Sequence, residues 1–197
     1  ILTAASGTDD AGPAYSPDGR ALVFHSCDTK RSFNDQGRLT LLLRRTGRMQ
    51  TLAPKLDRQV LQVLWAPDSR SLLCTIEDRG RVALWRLPVH WSTFALRAPV
   101  LALGAARRAH AADGAAMPSL VAGGGTIGAV AQSRDGSVLA FDRATAMHPS
   151  ALFACRGDGS GERGIETLNR SLLARHALGE VREVTVKGWG GAPVQMW

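Results

Sequence analysis

Lysine and tyrosine are scarce in this chain: only three lysines accompany 21 arginines, and there is a single tyrosine. The net charge of +7 therefore comes from arginines spread singly over predicted turns and strand ends, with Arg44-Arg45 and Arg107-Arg108 as the densest pairs. Nucleic-acid sites combine clustered basic side chains with aromatic groups on which bases stack. No stretch of this sequence combines the two, so we expect no nucleic-acid partner.

Long apolar runs are also missing. No segment approaches the roughly twenty apolar residues needed to span a bilayer, so we expect no membrane partner. Residues 1–7 lack the basic leader and the apolar run of a signal peptide, which leaves the localisation open between cytoplasm and periplasm. Ile1-Leu2-Thr3 instead has the pattern of a strand end, and we interpret the chain as a fragment.

Three cysteines, Cys27, Cys74 and Cys155, lie 47 and 81 residues apart, and no CxxC motif is present. The nearest thing to a ligand pair is His25-x-Cys27, whereas a structural metal site needs a tetrahedral cluster of donors. We therefore expect no metal. Cys74 and Cys155 fall in apolar strands and are predicted to be buried, while Cys27 follows a strand and is predicted to be the exposed thiol.

What the sequence does contain is one motif written three times, a polar turn around an aspartate followed by a short apolar strand. The copies are 15–24 (YSPDGRALVF), 65–74 (WAPDSRSLLC) and 132–141 (QSRDGSVLAF). Proline presets the turn, aspartate bonds the backbone ahead of it, and glycine or serine accepts the tight geometry. A supersecondary unit repeated at this spacing indicates a propeller, a solenoid or an array.

The spacing of the copies sets the predicted blades. Asp18 and Asp68 lie 50 residues apart, whereas Asp68 and Asp135 lie 67 apart, so we place a long loop at about 105–125. Each copy continues into further short strands and offers about four antiparallel strands, which is the unit of a β-propeller. The prediction is an all-β partial β-propeller of about three four-stranded antiparallel blades, near 1–53, 54–104 and 120–170.

Finer expectations concern the ends of the blades. The strand before the first turn is reduced to 12–15, and the fourth strand of the third unit covers 165–168. A helix-like segment of good helix formers covers 171–178. Residues 181–186 alternate as a strand. We assign 1–178 to the propeller and 179–197 to a linker and the first strand of a further domain.

Motifs that could carry chemistry each have a simpler interpretation. Gly123-Gly124-Gly125-Thr126-Ile127-Gly128 satisfies G-x-G-x-x-G, but no helix fits before the next turn. Ser160 comes closest to a G-x-S-x-G elbow, yet Asp158 and Glu162 occupy the positions where glycines belong. His148-Pro149 lies in a loop of the third unit and is interpreted as a proline-fixed connection, with a ligand contact in the propeller funnel as the alternative. We assign no catalytic, cofactor-binding or metal-binding residue and leave the substrate-binding residues undefined.

Asp18, Asp68 and Asp135 are the repeated acids. Three carboxylates can serve acid–base chemistry or bind calcium, but each of these occupies the same place in its own unit, and separate blades would hold them apart. We therefore predict that each aspartate caps its own turn.

The third unit and the C-terminal segment resemble a known family. Residues 133–141 (SRDGSVLAF), 148–153 (HPSALF), 167–169 (TLN) and Leu172-Leu173 are similar to the last propeller blade of the prolyl oligopeptidase family, closest to its bacterial dipeptidyl-peptidase and acylaminoacyl-peptidase branch. Residues 179–188 then look like the linker of that family, and 191–197 (GAPVQMW) look like the strand that opens its α/β-hydrolase domain.

The resemblance implies a serine peptidase that removes dipeptides or acylated residues from peptide N-termini, with the propeller as a gated funnel over a Ser-Asp-His site. That triad would lie beyond Trp197, so this chain is expected to be inactive alone and to need no cofactor. Its expected partners are the hydrolase domain, the remaining blades and, in the full enzyme, peptide substrates. An isolated chain is expected to self-associate, since open blades expose their edges. The alternative is a TolB-like or WD-like propeller that acts as a protein-binding scaffold.

Overall fold

The computed structural model describes residue 3 and residues 7–28, 36–91, 108–109, 117–166, 168–177 and 179–197. Almost all regular structure in this part of the chain is β, and most strands pair antiparallel. Twelve of the fifteen strands in the described residues form three sets of four, the second and third joined by one parallel pair of strands, and the all-β class expected from the repeated turns is confirmed. Among the described residues, no helix is long and apolar enough to cross a bilayer.

The first set of strands surrounds the first aspartate turn. Its strands pair in the order β1-β2-β3-β4, with the bounds β1 (Thr8–Tyr15), β2 (Ala21–Asp28), β3 (Arg38–Leu43) and β4 (Met49–Thr51). Strand β1 is longer than the predicted 12–15, because the ladder resumes beyond a bulge between Ala11 and Ala14. There the hydroxyl groups of Thr8 and Ser26 both donate to the Asp10 carboxylate, so polar residues extend a strand that hydrophobic pattern alone does not reveal.

The second set is built around the second turn and takes its fourth strand from far along the chain. It pairs in the order β5-β6-β7-β9, with the bounds β5 (Val60–Trp65), β6 (Ser71–Asp78), β7 (Arg81–Pro88) and β9 (Ser119–Ala122). A two-residue strand, β8 (Arg108–Ala109), pairs parallel with β4. Both β8 and β9 fall in the segment that the sequence predicts as a loop at about 105–125. The difference arises because β9 is apolar and finds its ladder on β7, a partner that spacing does not indicate.

The third set follows the third turn and is antiparallel throughout. Its strands are β10 (Thr126–Gln132), β11 (Val138–Ala144), β12 (Ala151–Arg156) and β13 (Arg163–Gly164). The predicted fourth strand, 165–168, thus lies two residues earlier, and only the amide of Ile165 continues the ladder, to the carbonyl of Leu152 at 2.9 Å. Thr167 lies outside the described residues.

The segment after the third set contains one short helix and one hairpin. Helix α1 (Arg170–Leu173) covers a single turn, shorter than the predicted 171–178, and its N-cap Asn169 makes no side-chain cap bond. Leu178 lies outside the described residues. The hairpin joins β14 (Val184–Lys187) to β15 (Pro193–Met196) through a 3₁₀ turn, Trp189–Gly191.

The chain divides into two compact units, one of Ile1–Glu77 with Leu84–Ala122 and one of Asp78–Ala83 with Gly123–Trp197. In the first unit, the central strands β2, β3 and β6 are mostly apolar, and buried residues lie on both of their faces. The members of the larger core cluster on these strands are Ala21, Val23, Leu39, Leu41, Leu72, Cys74 and Ile76. Burying a valine, leucine or isoleucine side chain stabilises by roughly 1.5–3 kcal/mol, so this cluster contributes substantially to the stability of the first unit.

Two tryptophans tie the first two strand sets together within the first unit. The indole N–H of Trp65 on β5 donates to the carbonyl of Ala14 on β1 at 3.1 Å. Trp65 also stacks on Trp91, with ring centroids 6.4 Å apart, and the guanidinium of Arg20 lies 4.8 Å from the centroid of Trp91. In the second unit, Phe141 and Phe153 stack at 5.9 Å and centre the packing of β11 against β12.

Candidate functional site

The repeated aspartates cap their turns, as the sequence predicts. A carboxylate oxygen of Asp18 accepts from the amide of Arg20 at 3.0 Å, and Asp68 accepts from the amide of Arg70 at 2.8 Å. Asp135 accepts from the hydroxyl of Ser133 at 2.6 Å, and this bond, together with those from Ser137, lowers the pKa of Asp135 from its ordinary 3.8 to about 2. A carboxylate with a pKa near 2 is unsuited to proton transfer near neutral pH, so Asp135 is no candidate for general acid–base chemistry.

The glycine-rich segment 123–128 leads directly into β10. The carbonyl of Gly123 accepts from the guanidinium of Arg143 at 2.6 Å. A Cβ added to Gly125 would lie 2.3 Å from the carbonyl oxygen of Ala144, so close backbone packing explains this glycine. A dinucleotide fingerprint requires a helix where this chain forms a strand, because residues 126–128 already belong to β10 and only 123–125 form a connection.

Ser160 and His148 both serve the local backbone. The amide of Ser160 donates to Asp158 at 2.9 Å in the turn between β12 and β13, and its hydroxyl accepts from Arg156 at 3.4 Å. The amide of His148 donates to the hydroxyl of Thr145 at 3.0 Å in the connection between β11 and β12. These contacts fix a hairpin turn and a loop, and the ligand contact at His148 stays an untested alternative.

The three thiols differ in burial. Cys74 and Cys155 are buried, as predicted, and Cys27 is intermediate in exposure. Burial raises the pKa of Cys74 to about 12, and burial followed by the charge of Glu162 raises that of Cys155. Thiolates are the reactive form of cysteine, so Cys74 is inert in the folded protein. Within the described residues, no group of three or more His, Cys, Asp or Glu side chains could hold a metal ion.

One small cavity lies in the first unit, at the ends of β3, β5 and β6. It measures about 20 Å³ and is lined by Arg38, Cys74 and Ile76 among others. The Arg38 guanidinium donates to the carbonyl of Pro54 at 3.1 Å and thereby closes part of its rim. A space of this size accommodates about one water molecule, so it cannot receive a peptide side chain.

The most distinctive surface is one face of the hairpin β14–β15. The register pairs Val184 with Met196 and Val186 with Val194. Because facing residues of an antiparallel pair project to the same side, these four side chains share one face. Each is 41–48% exposed. A two-stranded sheet is marginal on its own and needs packing on a face, so this apolar face is a candidate docking surface.

The turn of the same hairpin adds an anchor. Trp189 is 98% exposed, and Gly190 and Gly191 after it both have positive φ, which lets the chain reverse at this turn. Tryptophan is enriched among residues that dominate binding energy. Sequence alternation predicts a strand at 181–186, but it cannot show that the valines of two strands share a face, since that depends on the register.

Comparisons with known proteins bear on the fold. No protein-family model matches the chain, and no curated protein matches it. Among solved structures, an acylaminoacyl peptidase from Pyrococcus horikoshii aligns with a TM-score of 0.63 and 16% identity, over 90% of this chain and 23% of that one. The putative TolB of Agrobacterium tumefaciens aligns at 0.55 and 14%, over 84% and 51%.

A third solved structure is a propeller domain alone. The β-propeller domain of the Trilobed protease from Pyrococcus furiosus aligns with a TM-score of 0.51 and 16% identity, over 77% of this chain and 36% of that one. The chain thus spans between about a quarter and a half of these three structures. At such identities the likeness shows the fold alone, and that fold is a partial β-propeller.

Proposed function

We propose that the chain is a non-catalytic propeller segment of a serine exopeptidase of the prolyl oligopeptidase family. In that enzyme it docks an α/β-hydrolase domain and restricts which peptides reach the catalytic site, and the substrates are peptides with a free dipeptidyl or an acylated N-terminus. The observation that carries the proposal is the exposed apolar face of β14–β15, formed by Val184, Val186, Val194 and Met196.

This face supports a covering domain on energetic grounds. Four half-exposed aliphatic side chains on one side of a two-stranded sheet gain free energy when water is removed from them, at roughly 25 cal/mol for each Å² of apolar surface. A further strand or helix of a folded domain provides such a cover. A propeller that only presents its loops to a partner has no need of this hairpin.

The resemblance of the C-terminal segment supports a hydrolase domain as that cover. Residues 179–197 look like the linker and opening strand of the peptidase family. The likeness to the acylaminoacyl peptidase extends over 90% of the chain at a TM-score of 0.63, against 84% at 0.55 for the Agrobacterium TolB. Both likenesses show the fold alone, so the preference for the peptidase rests on the C-terminal segment, and a TolB-like scaffold stays the alternative.

The candidate site residues of this chain have structural roles, which bears on where the catalytic residues of the proposed enzyme lie. Ser160 and Asp135 hold turns of the third strand set, and the backbone amide of His148 holds a loop of it. In this proposal the nucleophile, base and acid come from the hydrolase domain, and the chain acts by positioning that domain and by limiting access.

The first test is the reading frame that encodes the chain. We expect it to continue beyond the codon for Trp197 into a segment with a G-x-S-x-G elbow. The encoded product should release p-nitroaniline from dipeptidyl or N-acetylaminoacyl p-nitroanilides. A stop codon directly after Trp197, with no separate hydrolase chain co-purifying, would overturn the proposal in favour of a scaffold.

A matched pair of variants tests the docking face in that product. Val186→Asn places an amide on the apolar face, whereas Lys187→Asn places the same group on the opposite face of the same strand. Burying an amide without a partner costs about 1–3 kcal/mol. We therefore expect Val186→Asn to lower kcat/KM or thermal stability clearly and Lys187→Asn to leave both nearly unchanged. Equal effects of the two variants would contradict docking through this face.

A further inference from the structure

The turn between β6 and β7 has an unusual backbone. Both of its central residues, Arg79 and Gly80, have positive φ, 51° and 65° respectively. Two-residue hairpin turns of this kind match the twist of the strands, and they favour glycine because side chains rarely adopt positive φ. The turn belongs to the second unit, together with β14 and β15. It therefore places a fixed loop of backbone beside the C-terminal hairpin.

The polar face of the hairpin binds this turn. The side-chain amide of Gln195 on β15 donates to the backbone carbonyl of Arg79 at 3.1 Å and to the carboxylate of Glu183 at 2.8 Å. Gln195 pairs with Thr185 in the register, on the side opposite Val194 and Met196. The turn thus holds the hairpin by one face and leaves the apolar face exposed.

Arg81 and Trp197 complete the contact. The guanidinium of Arg81 lies 3.3 Å from the Glu183 carboxylate and 4.4 Å from the ring centroid of Trp197. A Cβ added to Gly80 would lie 3.0 Å from the indole nitrogen of Trp197, so this indole sits directly against the turn. Two features of the structure therefore favour glycine at position 80, the positive φ and the close approach of the Trp197 ring.

We propose that residues 79–81 form a latch for the β14–β15 hairpin, closed by Glu183, Gln195 and Trp197 and opened when the charge on Arg81 is screened or removed. Each bond of this latch is of a weak kind. The ion pair is 43% and 38% exposed, and both exposed ion pairs and exposed cation–π contacts contribute little singly and lose strength in salt. Such a latch is poised to open without unfolding the strands on either side.

The role of the latch rests on the proposed function. If the apolar face of the hairpin docks a hydrolase domain, the latch fixes the orientation of the strand pair to which that domain attaches. Its release would let the hairpin and the docked domain tilt away from the β6–β7 turn. The latch itself does not depend on that role and can be tested on this chain alone.

Hydrogen exchange of the hairpin amides, followed by mass spectrometry, tests the latch. In about 20 mM salt, Arg81→Ala should speed exchange in β14–β15 about five- to tenfold, since the ion pair and the ring contact are lost together. Raising the salt to about 0.5 M should speed exchange in the unmodified chain and have little effect in Arg81→Ala. Arg182→Ala is the control, because it removes an arginine paired with Glu180 outside the latch.

A pair of glycine variants isolates the ring contact. Gly80 and Gly47 both have φ of 65° in hairpin turns, but a Cβ on Gly47 would meet no atom within 4 Å. Gly80→Ala and Gly47→Ala thus share the backbone strain and differ in the clash with Trp197. We expect only Gly80→Ala to speed exchange in β14–β15.

Two results would overturn the latch: hairpin exchange that is insensitive to both Arg81→Ala and salt, or equal hairpin exchange in Gly80→Ala and Gly47→Ala. The effect of salt on hairpin exchange in the unmodified chain tests the latch even where a variant folds poorly. These outcomes are independent of the reading-frame and activity tests above. If the product is a peptidase but hairpin exchange does not respond to Arg81→Ala or to salt, only the latch is refuted. If exchange responds as expected but no hydrolase domain exists, only the proposed function is refuted.

Discussion

The backbone N–H of Asp18 donates to the hydroxyl of Ser69 at 3.1 Å, across 51 residues of sequence. The two residues belong to corresponding turns of successive repeats. Ser69 occupies the place that Gly19 and Gly136 hold in the other two copies, and its φ of 59° resembles their 69° and 73°. It is also buried. Serine at a glycine position is therefore explained by a hydrogen bond that joins two turns.

At Ser69, backbone strain from the positive φ is offset by the hydrogen bond to the Asp18 N–H, and this balance can be tested. Ser69→Ala keeps a side chain at positive φ and leaves the Asp18 N–H without its partner, so we expect a loss of about 1–2 kcal/mol in the free energy of unfolding. Ser69→Gly also loses the bond but relieves the strain, and should lie between Ser69→Ala and the unmodified protein. Urea titration gives the order. An alanine variant more stable than the glycine variant would contradict it.

Much of the fold can be predicted from the sequence because its turns and the strands after them depend on neighbouring residues. The turns at Asp18, Asp68 and Asp135 and the strands after them depend on residues within ten positions, and the structure has them where the sequence predicts them. Local sequence does not predict strand β9, since its ladder runs to Leu84 and Trp85, more than 30 residues away. The propensity of a short segment does not indicate a partner that lies so far along the chain.

The candidate site was less predictable for a related reason. No single residue marks the docking face, which exists because Val184 faces Met196 and Val186 faces Val194 across a turn. Register decides which side chains share a face, and a slip of one residue would reverse it. The helix-like segment predicted at 171–178 is present but shorter, for another reason. Good helix formers sustain only one turn here, in a helix without a side-chain cap and without buried residues to pack it.

A second prediction concerns Gly128, which lies in the bulge of β10. A Cβ there would lie 2.7 and 2.8 Å from the carboxylate oxygens of Asp142. That carboxylate cannot easily move, because it accepts from the amide of Ala129 at 2.6 Å and from the hydroxyl of Ser150 at 2.7 Å. We expect Gly128→Ala to destabilise by about 1–3 kcal/mol, the usual range for overpacking.

Two controls accompany that prediction. Gly164→Ala adds the same methyl group on β13, where the nearest atom, in Phe153, lies at an ordinary 3.9 Å, so its midpoint of unfolding should hardly change. Combined with Asp142→Ala, the Gly128→Ala change should have little further effect, since its clash has been removed. Additive losses in the double variant would refute the steric explanation.

A third prediction uses the pKa of Asp135. The hydroxyl bond from Ser133, followed by the amide and hydroxyl bonds from Ser137, holds this pKa near 2. The stabilisation that this carboxylate gives its turn should therefore be complete above the ordinary pKa of 3.8 and be lost as pH falls through about 2. In Ser133→Ala the pKa should move toward 3.8, because the largest of these bonds is gone. NMR titration of the Asp135 carboxyl carbon measures both values, and an unchanged pKa in Ser133→Ala would contradict this account.

The buried thiol of Cys74 makes stability depend on pH in the alkaline range. Its pKa rises from an ordinary 9.0 to about 12 in the folded protein, because burial disfavours the thiolate. Between these values the folded state keeps a proton that the unfolded state loses, so stability should fall as pH rises above about 9, by up to ~1.4 kcal/mol per pH unit. Cys74→Ala should lose less stability than the unmodified protein as pH rises above about 9, although the substitution leaves a small cavity. Urea titrations of both proteins from about pH 8 to 10.5 give the difference, and parallel pH profiles would show that Cys74 is not its source.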